Sequence, residues 1–176
     1  NTINKTRVFS PNKQYIEVKI KDNFVVDRQK FDSHMANLAM DVGANYHLKS
    51  RFLSCDQNQN INFQIRQDGE VKSKKTTFLV GADGPYSSVG KSVDLLKNRQ
   101  YITAVQARIS MECNPEVFDV YLGHGDFGWI VPENKDIVRI GLVGDNNVKP
   151  VFDAFLKERK IIMILILKNL WLIRAI

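Results

Sequence analysis

Hydrophobic and polar residues alternate with a period of two in two separate segments of the first half of the chain. Residues 15–20 and 61–66 both follow this pattern, which is typical of half-buried strands. A further strand is expected over residues 44–53. Asp68 and Gly69 form the kind of dipeptide that closes a two-residue hairpin, so we predict a tight turn after the segment 61–66.

One amphipathic helix is predicted between the strand at residues 15–20 and the strand at residues 44–53. Phe31, Met35 and Leu38 recur at the spacing of one helical face. Asp27 is expected to cap the N-terminus of this helix, because a side-chain carboxylate can accept from free backbone N–H groups. Gly43 is expected to end it, because glycine readily adopts the left-handed conformation.

A short apolar run, residues 78–80, leads directly into a glycine-rich turn, residues 81–84. We expect the run to be a buried central strand of an α/β sheet, with the turn at its carboxyl end, where such sheets bind ligands. Gly84 and Pro85 are predicted to be the N-cap and first residue of the next helix. Asp83 would repel a phosphate, so sugar hydroxyls or helix N–H groups are its expected partners. An ordinary strand-to-helix turn is the alternative.

The second half of the chain is predicted to form an antiparallel sheet, because alternating segments follow one another with short links. Strands are expected at residues 105–112, 117–122, 127–131 and 137–143. A short helix is then predicted to begin at Pro150, with Phe152, Phe155 and Leu156 on one face.

Composition and charge narrow the possible functions. The 176 residues are 44% hydrophobic and 25% charged, as in an ordinary globular protein. The net charge of +6 is spread along the chain, so nucleic-acid binding is not implied, although a basic surface favours anionic lipid. Cys55 and Cys113 show no metal or redox spacing, which predicts no metal site and a reducing compartment. We therefore expect a cytoplasmic protein with peripheral membrane contact.

The segment 81–87, GADGPYS, resembles the "DG" motif of flavoproteins in the geranylgeranyl reductase family and in the related p-hydroxybenzoate hydroxylase-like monooxygenases. In those families the aspartate and glycine of the motif lie beside FAD. The resemblance implies that Gly81, Asp83, Gly84 and Ser87 belong to the cofactor site.

Two other segments resemble the same reductases. Residues 25–44 are similar to their hydrophobic-x-R-x-x-F-D helix start, which implies that Arg28 lies near the flavin. A guanidinium offers a fixed fork of donors to an anionic ligand, whereas a solvated Arg28 is the alternative. The segment that contains Phe127, Trp129 and Pro132 resembles their PxxYxWxFP motif. Phe127 lacks the phenol of the motif, so only an aromatic role carries over. The resemblance implies that these three residues line the substrate wall, with plain core packing as the alternative.

The resemblance implies an α/β fold with three parts. These are part of a Rossmann-like FAD-binding domain over residues 1–95, an antiparallel substrate-binding sheet over residues 96–150, and a short helix with an unassigned apolar tail over residues 151–176. The GxGxxG turn of the family is absent from the sequence, and Asn1 is not a methionine. We therefore expect an internal fragment that is inactive by itself.

The implied function is that of an FAD-dependent oxidoreductase. Such an enzyme saturates isolated carbon–carbon double bonds of a prenyl lipid by hydride transfer from reduced flavin, with NAD(P)H or ferredoxin as the electron donor. No residue stands out as the catalytic proton donor. An FAD-dependent aromatic monooxygenase is the first alternative, and a non-catalytic basic β-rich binding module is the second.

Overall fold

The protein is seen in a computed structural model that describes residues 1–57, 60–97, 100–144, 147–159 and 166–175. The chain forms two compact units. Unit 1 comprises Asn1–Arg28 with Tyr101–Ile176, and unit 2 comprises Gln29–Gln100. The sequence pattern grouped residues 1–95 together, whereas the structure groups the first 28 residues with the sheet of the second half.

Ten strands and three helices make up the described chain. The strands are β1 (Thr2–Phe9), β2 (Tyr15–Phe24), β3 (Ser50–Gln57), β4 (Ile61–Gln67), β5 (Glu70–Thr76), β6 (Ile102–Ser110), β7 (Val117–Leu122), β8 (Phe127–Pro132), β9 (Ile137–Gly144) and β10 (Ile166–Ala175). The helices are α1 (Arg28–Asp41), α2 (Ser88–Ser92) and α3 (Val148–Glu158).

Unit 1 is built on a seven-stranded sheet in the order β10-β6-β9-β8-β7-β1-β2. Its strands pair antiparallel except for β1 and β7, which run parallel. The antiparallel pairing predicted for the four strands of the second half is therefore confirmed, and the addition of β1 makes the whole sheet mixed. Arg7 on β1 donates to both carboxylate oxygens of Asp119 on β7, at 2.7 and 2.8 Å. The rings of Phe9 and Tyr121 stack on the same two strands with centroids 4.7 Å apart. These contacts join the start of the chain to the second-half sheet.

One face of this sheet is covered by α3. Alternate residues of β6, β8 and β9 pack there against Phe152, Phe155 and Leu156, which are fully buried. The predicted apolar face of this helix is therefore confirmed, although the helix begins at Val148 instead of Pro150.

The sheet of unit 2 has three antiparallel strands in the order β3-β4-β5. The hairpin predicted at Asp68 and Gly69 is confirmed, since both residues have positive φ angles, 52° and 90°, as a type I′ turn requires. Strand β3 begins at Ser50, later than the predicted segment 44–53.

Gly43 ends helix α1, as predicted from the sequence. Gly43 has a φ of 95°, its N–H donates to the Met40 carbonyl at 2.9 Å, and the N–H of Ala44 donates to Ala39 at 3.0 Å. This pair of bonds is the Schellman motif. The apolar face of α1 that begins at Phe31 is about half exposed.

Residues 78–80 do not form the predicted central strand. They are irregular, and the side chains of Phe78 and Val80 are each 84% exposed. A strand needs the hydrogen bonds of a neighbouring strand, and no strand of the described chain pairs with these residues.

The end of the chain, residues 151–176, was predicted as a short helix followed by an unassigned apolar tail. Within it, Ile166–Ala175 forms β10, which pairs antiparallel with β6, whereas residues 160–165 and 176 lie outside the described part. None of the described helices has the length and apolar character needed to cross a bilayer.

The packing of α3 predicts a clear difference between two truncations on the same helix. Phe155→Ala should lower the free energy of unfolding by about 3–5 kcal/mol, because it leaves a cavity among buried neighbours. Val151→Ala should cost less than about 1 kcal/mol, because Val151 is partly exposed. Urea denaturation followed by circular dichroism measures both, and equal losses would show that α3 does not cover the core.

Candidate functional site

The glycine turn at residues 81–84 packs closely against the start of α2. A Cβ atom at Gly81 would lie 2.9 Å from Cβ of Val89 and 3.3 Å from Oγ of Ser87, so no larger residue fits there without displacement. Gly84 has a φ of 83°, and a Cβ built on it would meet nothing within 4 Å. The first glycine is therefore needed for packing and the second for its backbone conformation.

Asp83 caps the short helix that follows this turn. Its carboxylate accepts hydrogen bonds from the Ser87 hydroxyl and from the Ser88 N–H, the latter at 2.6 Å. The hydrogen bond from Ser87, supported by the backbone donors, holds the pKa of Asp83 below its ordinary value. Of the two kinds of partner expected for Asp83, the structure shows helix N–H groups.

Ser87 is the N-cap of α2, and its Oγ accepts from the Gly90 N–H at 2.8 Å. The prediction that Gly84 and Pro85 would be the N-cap and first helical residue is therefore wrong. Glycine has no side chain to accept from a free N–H group, whereas the Ser87 hydroxyl does accept one.

A cleft of about 310 Å³ within unit 2 borders the glycine turn. Six of its lining residues have aliphatic side chains, and three are glycines. The lining residues are Cys55, Ile61, Leu79, Gly81, Gly84, Ser87, Val89, Gly90, Val93, Leu95 and Leu96. Among the described residues that line it, none has a cationic side chain that could hold a phosphate.

The four predicted cofactor residues of the turn, Gly81, Asp83, Gly84 and Ser87, thus lie together. Arg28 is the first residue of α1 and the last residue of the first segment of unit 1, whereas the turn belongs to unit 2. Its membership of the same site stays a prediction.

Phe127 and Trp129 lie on the sheet face opposite α3, which we term the open face. Their ring centroids are 5.9 Å apart, and the Trp129 Nε1 donates to Oε1 of Gln106 at 3.3 Å. Trp129 pairs with Gly141 on β9, where a Cβ would lie only 2.3 Å from the indole Cζ2. The indole thus rests on the bare backbone of β9 and extends towards β6.

Pro132 does not share this face. It is fully buried and lies on the same side of β8 as Gly128. That side faces α3, because a Cβ atom at Gly128 would lie 3.0 Å from the ring of Phe155. Trp129 and Pro132 are three residues apart, and side chains an odd number apart on a strand point to opposite faces. Phe127 and Trp129 therefore share a face that Pro132 does not, and the substrate role of the three residues stays a prediction.

A cluster of charges on the open face was missed by the sequence analysis. Glu133 accepts from Nε of Arg108 at 2.7 Å and from Nε of Arg139 at 2.6 Å. Burial raises the pKa of Glu133, but the hydrogen bonds from Arg139 and Arg108 outweigh it and hold that pKa below its ordinary value. The period of two places Arg108 and Arg139 on the face of Trp129, but their pairing needs the strand register.

Metal ligation is not evident in the described residues. Among them, no group of three or more His, Cys, Asp or Glu side chains is placed to hold a metal ion. His124, which replaces the first proline of the reductase motif, pairs instead with Glu158 at 2.7 Å.

Solved structures share the fold of this chain. A geranylgeranyl bacteriochlorophyll reductase-like protein from Thermoplasma acidophilum matches 99% of this chain with a TM-score of 0.80 at 23% identity, over 49% of its own length. The p-nitrophenol 4-monooxygenase of Pseudomonas putida matches 97% of the chain with a TM-score of 0.64 at 9% identity, over 50% of its length. At these identities the likeness concerns the fold alone.

Sequence relatives identify the family of this chain. The digeranylgeranylglycerophospholipid reductase of Picrophilus torridus is 32% identical over 153 residues, which is 77% of this chain and 38% of that protein. No family profile matches the sequence. The chain belongs to the geranylgeranyl reductase family of FAD-dependent oxidoreductases, and it spans less than half the length of these curated relatives.

The contact between Trp129 and Gly141 generates a prediction. Gly141→Ala should lower the free energy of unfolding by about 1–3 kcal/mol, because the methyl group would meet both the indole and the Val105 carbonyl oxygen, the latter at 2.6 Å. Gly144→Ala on the same strand is the control, since its nearest atom would be 3.3 Å away. Urea denaturation measures both variants. A Gly141→Ala protein as stable as wild type would show that the indole does not rest on this backbone.

Proposed function

We propose that the complete protein carrying this chain is an FAD-dependent reductase that saturates isolated double bonds in the prenyl chains of a glycerophospholipid. The observation that carries this proposal is the aromatic wall of Phe127 and Trp129 on the open face. Family membership supports it, because the relatives at about 30% identity are described as digeranylgeranylglycerophospholipid reductases.

The shape of the glycine turn supports its proposed cofactor role. Gly81 and Gly84 leave bare backbone along the cleft of unit 2, which is where a flat cofactor could approach closely. FAD, when bound, would supply the hydride. Asp83 and Ser87 already use their polar atoms to cap α2, so we assign them a positioning role, in which they fix the turn that contacts the cofactor. Arg28 remains a proposed flavin contact.

The chemistry of the open face supports its proposed substrate role. Further apolar side chains lie next to Phe127 and Trp129 on the open face. They include Phe118, Val120 and Val131. These side chains are partly exposed, so they are available to an apolar ligand. An apolar wall of this kind would hold a prenyl chain and exclude water from the reacting double bond.

Two single variants of the complete protein should separate substrate binding from cofactor binding. Trp129→Ala should reduce turnover of a long prenyl lipid by about tenfold or more while FAD remains bound, because it removes a large apolar contact. Asp83→Ala should release FAD first, because it removes the cap that fixes the glycine turn. The measurements are flavin content by absorbance and prenyl reduction by mass spectrometry.

Two conservative variants serve as controls. Trp129→Phe should retain most of the turnover, and Asp83→Asn should retain more FAD than Asp83→Ala, because an amide oxygen can still accept from the helix. The proposal is wrong if Trp129→Ala loses FAD as readily as Asp83→Ala. It is also wrong if the wild-type protein hydroxylates aromatic compounds and leaves prenyl lipids unchanged.

A further inference from the structure

Two arginines face each other directly on the open face. Arg108 on β6 and Arg139 on β9 are cross-strand partners, and like charges in such a position repel each other. Glu133 lies between them and accepts one Nε hydrogen bond from each. One carboxylate therefore accepts from two guanidinium groups, so Arg108, Arg139 and Glu133 together carry a net charge of about +1 at neutral pH.

Arg108 retains donors that Glu133 does not use. Its side chain is 38% exposed, compared with 24% for Arg139 and 16% for Glu133. Arg139 donates from Nη2 to the Val26 carbonyl at 3.2 Å, whereas the two Nη atoms of Arg108 have no hydrogen-bond partner in the described part of the chain. A guanidinium with a free pair of terminal donors is well suited to a phosphate oxygen.

The cluster lies next to the aromatic wall. Strand register places Val120, Trp129, Gly141 and Gln106 in one row across the open face. The adjacent row contains Val131, Arg139 and Arg108. Neighbouring rows on one face are two residues apart, which is about 7 Å along a strand. A ligand of modest length can therefore touch the indole and the arginines together.

We propose that Arg108 and Arg139 form an anion subsite for the phosphate of a prenyl glycerophospholipid whose chain lies along Phe127 and Trp129. This inference rests on the proposed function and extends it, because it assigns the headgroup a place on the same face. Glu133 sets the strength of the subsite, since its negative charge offsets part of the positive charge of the two arginines that it bridges.

A role in folding alone makes a different prediction. If the cluster only joined β6 to β9, loss of either an arginine or Glu133 would weaken all ligand binding together through loss of structure. A subsite responds with opposite signs, because removal of an arginine weakens anion binding and removal of the carboxylate strengthens it.

The test uses the complete protein carrying this chain and three probes: digeranylgeranylglyceryl phosphate in detergent micelles, uncharged geranylgeraniol in the same micelles, and glycerol phosphate alone. Binding is measured by isothermal titration calorimetry for wild type, Arg108→Gln and Glu133→Gln. Lys19→Gln is the charge-matched control, because Lys19 is exposed on the edge strand β2. Thermal denaturation of each variant shows whether it is folded.

We expect Arg108→Gln to weaken binding of the phosphorylated lipid by about tenfold and to leave geranylgeraniol unchanged. Glu133→Gln should bind the phosphorylated lipid more tightly than wild type, and Lys19→Gln should bind it as wild type does. Glycerol phosphate should bind weakly, and the variants should rank by affinity for it in the same order as for the phosphorylated lipid. This comparison separates the contribution of the headgroup from that of the chain.

Different failures have different meanings. Equal losses for charged and uncharged lipids in Arg108→Gln, or weaker binding of the charged lipid in Glu133→Gln, would overturn the anion subsite and leave the prenyl wall intact. Binding of glycerol phosphate that depends on Arg108, without any gain from the prenyl chain, would support the subsite and overturn the prenyl-lipid function. Absence of binding by all three probes to folded wild-type protein would overturn both.

Discussion

The two-residue alternation of the seven-stranded sheet is the constraint on which unit 1 depends. The same strands that bury Val105, Ile109 and Ile140 against α3 must present the residues between them on the other face. Those intervening residues are not simply polar, as they would be on a sheet with one solvated face. They include aromatic rings, Gly141, whose backbone contacts the indole of Trp129, and a pair of arginines. The open face thus has the composition of a binding surface.

The glycine turn of unit 2 is stabilised in a different way, by hydrogen bonds between residues close together in the chain. Asp83 and Ser87 satisfy the free N–H groups of α2 and bond to each other, so the turn keeps its shape through its own short-range contacts. That shape leaves the backbone of Gly84 bare. A motif that is recognised by its aspartate can therefore act through its glycines, while the aspartate maintains the backbone path.

Local features were predictable from the sequence because they depend on neighbouring residues. The left-handed glycine after α1 and the turn at Asp68 and Gly69 are of this kind. Features that depend on distant pairing were not predictable. The parallel contact of β1 with β7 relies on Arg7 and Asp119, which are 112 positions apart. An apolar run such as residues 78–80 predicts a strand, but its state depends on whether a partner strand lies beside it.

The candidate site shows the same division. The aromatic pair at Phe127 and Trp129 could be found from its motif, and its shared face follows from their spacing. Pro132 was grouped with them by the motif, although the strand period places it in the core. The arginine pair could not be found from a pattern, because Arg108 and Arg139 come together through the register of two strands.

Covalent mapping of a bound prenyl lipid tests the central claim that the open face is the substrate surface. A prenyl glycerophospholipid with a photoreactive diazirine in its chain would be cross-linked to the protein, and the labelled residues would be located by mass spectrometry. We expect labels on side chains of the open face, chiefly Phe118, Trp129 and Val131, and we expect unlabelled lipid to compete them away. Labels concentrated on the exposed side of α3, or spread without competition over both units, would contradict this account.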